Sequence, residues 1–226
     1  MGFIKYVCTQ KITNYRLLKS GFSIETAELE QVVEKLKQQE QAQMKAMFGD
    51  LEESALKEKA DFYTEVTDKV SAISNMPAAV VGKVAFTRSV FTLNYVHTQG
   101  TVLKSAYEAA GQSYEALMTA PRQDLGDSIK KAFGKIKVLL DDLGIEYNDE
   151  NAKAVRILGY NQMEITEENI NSVKSANEAL TRVIEKMSPS AVLDMIREDV
   201  NPLNMNIEDL YDYLKTTEKF KDAEDA

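Results

Sequence analysis

The chain has 226 residues, 44% of them hydrophobic and 28% charged, with a formal net charge of −9. A soluble protein of this length buries roughly 70% of its unfolded surface and needs no disulfide or metal for stability. The single cysteine, Cys8, excludes an intrachain disulfide framework and any multi-cysteine metal site.

Residues 1–8 show no charged leader followed by an apolar run, so no signal peptide is expected and the cytoplasm is the expected location. The first long helix is predicted over residues 26–48, where Leu29, Val32, Val33, Leu36, Met44 and Met47 recur at helical spacing opposite a face rich in Glu, Lys and Gln. Gly49 ends it, and Asp50 with Glu53 has the spacing of a capping box for a second helix running to about Asn75. A tight turn between two amphipathic helices reads as an antiparallel hairpin.

Pro77 stands at a plausible first helical position. The stretch 78–96 is dense in Val, Thr, Phe and Tyr and carries only Lys83 and Arg88 as charges. A buried helix is the preferred reading, with a strand left open because those residue types favour strands. Gly100 reads as a break, after which Val102, Leu103, Ala106, Tyr107, Ala110, Tyr114 and Leu117 form another helix that Pro121 ends.

A helix from Ser128 to Leu143 carries its lysines early and Asp141 and Asp142 late. That order opposes the helix dipole, so packing against neighbours must hold it. Shorter helices follow near 149–158, 167–186, 189–198 and 206–221, announced by Asn148, Thr166, Ser188 and Asn206 as caps, with Pro189 at a first helical position. One phrase occurs twice: Leu143 and Gly144 lead to Asn148–Asn151 and Val155, and Leu158 and Gly159 lead to Thr166–Asn169 and Val173. Each copy reads as a glycine-terminated helix, a connector, a cap and a new helix. The fold expected is therefore all-α, with nine or ten helices in a long-helix subdomain (1–122) and a short-helix subdomain (123–226).

Motifs that would carry chemistry are missing from the sequence. There is no HExxH, EF-hand loop, GxSxG elbow or GxGxxG fingerprint, and Gly82-Lys83 lacks the rest of a phosphate loop. His97, the only histidine, lies far in sequence from Cys8, and reads as a packed or helix-end residue. The acid pairs Glu52-Glu53, Asp141-Asp142 and Glu167-Glu168 sit at helix ends, where capping and solvation account for them. No catalytic, cofactor-binding or metal residue is assigned and no cofactor is expected.

No apolar run approaches the roughly 20 residues of a membrane span, so membrane insertion is not expected. Residues 101–226 hold 15 basic and 24 acidic side chains against 12 and 12 in residues 1–100, which disfavours nucleic acid as a partner. Tyr107, Tyr114, Tyr160, Tyr211 and Tyr213 are candidates for partly wet surfaces, and of Tyr211 and Tyr213 at least one is expected to be exposed.

The segments Ser20–Thr26, Tyr114–Ser128 and Ala154–Asn169 resemble a helical family of anaerobic Gram-positive bacteria, a domain of unknown function, over most of the chain. Members of that family are usually longer, which leaves open whether the chain is a fragment of a longer protein or is trimmed at its N-terminus. The second copy of the repeated phrase is also similar to helical segments of flagellar hook-length-control proteins, which regulate export and assembly. The resemblance implies no catalytic residues. The leading expectation is a non-enzymatic helical interaction or scaffold protein, linked to flagellar or export assembly, with a protein partner of unknown identity and an open oligomeric state. The alternatives are a surface-displayed or phage-related binding module, and a ligand binder or enzyme with a pocket wall of Phe91, Tyr95, His97 and Tyr114.

Overall fold

A computed structural model describes residues 29–87, 91–116 and 135–224. Nine helices lie among them: α1 (Leu29–Phe48), α2 (Glu53–Ile73), α3 (Val80–Val84), α4 (Leu93–Ala116), α5 (Ile136–Asp142), α6 (Asp149–Tyr160), α7 (Glu167–Lys186), α8 (Pro189–Arg197) and α9 (Ile207–Glu224). The described residues hold no strand, only an isolated antiparallel bridge between Thr92 and Asn206. The all-α expectation is met. The chain divides into two compact units between Thr64 and Glu65, inside α2. The boundary expected at 122/123 falls on residues outside those described.

In the first unit, Gly49 ends α1 in the left-handed region (φ 88°), a conformation that costs a residue with a Cβ about 1–2 kcal/mol. Asp50 does not open α2. The helix starts at Glu53, and the Asp50 carboxylate instead accepts a 2.5 Å hydrogen bond from Lys45 Nζ. That contact holds Asp50 below and Lys45 above their ordinary pKa values. Leu56 is buried, and the rings of Phe48 and Tyr63 meet edge-on at 6.5 Å between centroids.

The second unit contains the larger core. Val66, Val70 and Ile73 of α2 are buried at the spacing of one helix face. Pro77 stands ahead of its helix, not in its first turn. The carbonyls of Pro77, Ala78 and Ala79 accept from Val80, Val81 and Gly82 in tight turns before α3 settles. The stretch 78–96 thus resolves into one short buried helix, three residues outside those described, and the start of α4. Among its described residues strand character survives only at Thr92, where the backbone exchanges hydrogen bonds with the turn before α9: Asn94 N–H donates to Leu203 O at 3.0 Å and Ile207 N–H to Phe91 O at 2.9 Å.

Gly100 is not a break. α4 passes through it, and a Cβ there would lie 1.9 Å from Met76 Sδ, so the missing side chain is what admits Met76. Packing runs through α3 against α4, α6 and α7, and through α7 against α6 and α9. On α7 the buried residues Ile170, Val173, Ala176, Leu180 and Val183 form the inward stripe, and full burial of each large one contributes roughly 1.5–3 kcal/mol. α5 ends on Asp141 and Asp142, unfavourably for its dipole, and is held by Ile136 and Leu140, both buried, where it packs on α6.

Candidate functional site

The repeated phrase folds into a repeated local structure, but in a different register from the one its glycines suggest. After α5, Gly144 takes the left-handed conformation (φ 69°) and Ile145 N–H donates back to Leu140 O at 2.9 Å. After α6 the equivalent residue is Gln162 (φ 56°), with Met163 N–H donating to Leu158 O at 3.0 Å. Gly159 lies inside α6 and does not end it. Aligned on Gly144 and Gln162, the two copies match residue by residue through their caps, Asn148 and Thr166, to Asn151 and Asn169.

Those two asparagines are the working parts of the motif. Asn151 N–H donates to Asn148 Oδ1 at 2.8 Å, and its side-chain amide donates to Glu146 O at 2.7 Å. Asn169 N–H donates to Thr166 Oγ1 at 3.2 Å, and its amide donates to Glu164 O at 2.8 Å. Each asparagine therefore ties the incoming connector to the helix it starts, satisfying backbone groups that helix ends leave open. Asn151 is buried, and its Oδ1 accepts from Lys174 Nζ of α7 at 2.8 Å, joining the first copy to the second. The caps Ser188 and Asn206 also form as expected, accepting from Ala191 N–H and Glu208 N–H.

Between α6 and α7 lies a groove of about 580 Å³, with Lys153, Lys174, Asn177, Glu178 and Arg182 among its walls. Its floor is sealed: Ala154, Ile157 and Val173 are at most 2% exposed. Its cations are held in place. Lys153 Nζ donates to Asn177 Oδ1 at 2.9 Å, Lys174 reaches Asn151 and lies 3.9 Å from Glu150, and Arg182 pairs with Glu178 while lying 5.8 Å from the Tyr211 ring centroid. A sealed floor under tethered charges suits a hydrated cleft better than an apolar ligand pocket.

The exposed apolar side chains are elsewhere, and several stand on other elements: Val102 of α4 is 62% exposed, and Val33, Leu51 and Phe86 are also exposed. Val138 of α5 is 57% exposed, and Leu143 and Tyr147 in the connector that follows are 38% and 47% exposed. Tyr160 at the end of α6 is also exposed. Tyr211 and Tyr213 are both half-buried, against the expectation that one would be exposed. The Arg182 guanidinium lies over the Tyr211 ring, and the Tyr213 hydroxyl donates to Glu198, so each of the two tyrosines meets a neighbouring element. Burial first, and then Glu198, push the Tyr213 hydroxyl up to about 12.

His97 is half-buried on α4, with its pKa lowered by burial and then by Lys69. Beside it runs a polar clamp that sequence reading missed: Lys69 Nζ donates to Asn94 Oδ1 at 2.7 Å and pairs with Glu65 at 2.6 Å, and Asn94 Nδ2 donates to Asn204 Oδ1 at 2.6 Å. Phe91 is buried in the core and Tyr95 half-buried, while the Tyr114 side chain and Cys8 lie outside the described residues. The acid pairs Glu52-Glu53, Asp141-Asp142 and Glu167-Glu168 are all exposed and stand at separate helix ends. Among the described residues no group of three His, Cys, Asp or Glu side chains could hold a metal ion, and no helix is long and apolar enough to cross a membrane.

A family model described as a family of unknown function (DUF6240) matches residues 5–226. No curated protein and no solved structure matches the chain.

Proposed function

We propose that this chain, which belongs to the DUF6240 family, is a non-enzymatic helical interaction protein that binds a protein partner through the start of its repeated motif. The observation that carries this reading is the exposure of Val138, Leu143 and Tyr147 on one short helix and its connector. The three stand close together in the chain, and covering exposed apolar side chains favours association because it removes apolar area from water. The asparagine-tied first connector supports the reading as well, since Asn151 anchors the segment that carries Leu143 and Tyr147 to the start of α6. The resemblance to regulators of export and assembly makes assembly components the first partners to look for.

The test is affinity capture with the full chain, comparing the parent, a Val138→Glu/Tyr147→Glu variant and a control with Glu208→Lys, at an exposed position in the first turn of α9. A species retained by parent and control and lost from the patch variant supports the proposal. Equal capture by all three rejects this surface. Catalytic turnover that disappears on replacing His97 or one of the paired carboxylates rejects the non-enzymatic reading.

A further inference from the structure

We draw no further inference here: the strongest candidate, the exposed apolar patch of Val138, Leu143 and Tyr147 on α5 and its connector, already carries the proposed interaction, and nothing in the structure shows what covers it.

Discussion

Asn151 and Asn169 occupy the same place in two copies of one motif, yet their surroundings differ. Asn151 is 5% exposed and serves Glu146 O and Lys174 at once, whereas Asn169 serves only its own connector among the described contacts. Replacing Asn151 with Ala takes the side-chain donor from Glu146 O and leaves Lys174 with Glu150 at 3.9 Å, at a part-buried site, a loss of about 1–3 kcal/mol. Asn169→Ala is expected to cost about 0.5–1.5 kcal/mol, and urea unfolding of the two variants reads the difference. Left-handed residues give a second pair of opposite sign. Gly144→Ala introduces a strained Cβ and destabilises by about 1 kcal/mol, while Gln162→Gly relieves the same strain and is neutral or stabilising. If both substitutions destabilise equally, Gln162 owes its place to side-chain contacts and not to backbone geometry.

His97 supplies a pH dependence at the same scale. Its pKa in the fold lies below the ordinary 6.5, so the unfolded chain takes up the proton first as pH falls. The stability it contributes is complete above 6.5 and declines as pH drops from there through the lowered folded value. Between about pH 8 and about pH 5 the parent should therefore lose more stability than His97→Gln does. Parallel losses in thermal unfolding across that range would show that His97 is not a site of differential protonation.

At the scale of elements, close approach decides two glycines. A Cβ on Gly82 would lie 2.2 Å from Asn161 Nδ2, and that amide is held by 2.8 Å bonds to Ala79 O and Ile157 O. The Met76 side chain over Gly100 is flexible and can turn aside. Gly82→Ala is thus expected to cost about 2 kcal/mol by overpacking between α3 and α6. Gly100→Ala should cost less, because the helix propensity of Ala returns roughly 1 kcal/mol. Chemical denaturation would overturn this ranking if Gly100→Ala proved the more harmful. Neither contact could be read from the chain, since Met76 and Asn161 reach these glycines through tertiary packing. By contrast α6, α7 and α8 were legible almost to the residue: their caps are short polar side chains that act within three residues of where they stand.

For the whole molecule, the proposed surface makes a prediction that separates binding from folding. Val138→Glu and Tyr147→Glu replace exposed side chains, so each should change stability by no more than about 0.5 kcal/mol while reducing partner capture. Large destabilisation would mean that these residues are packed in solution and would remove the basis of the proposal. The division of the chain between Thr64 and Glu65 lies inside a continuous amphipathic helix, where composition and punctuation carry no mark of it. The clamp of Lys69, Asn94 and Asn204 was equally invisible, because its last two members stand 110 residues apart.

What the sequence by itself determined was the helical class, the caps at Asn148, Thr166, Ser188 and Asn206, and the existence of a repeated phrase. These follow from local interactions, in which backbone hydrogen-bonding groups find partners a few residues away. Tertiary structure alone decided that Gly159 continues a helix while Gln162 turns the chain, that Gly100 makes room for Met76, and that Val138, Leu143 and Tyr147 stay at the surface. The physical reason is that buried packing can outweigh a local preference of about 1 kcal/mol, and which faces are buried depends on residues distant in the chain.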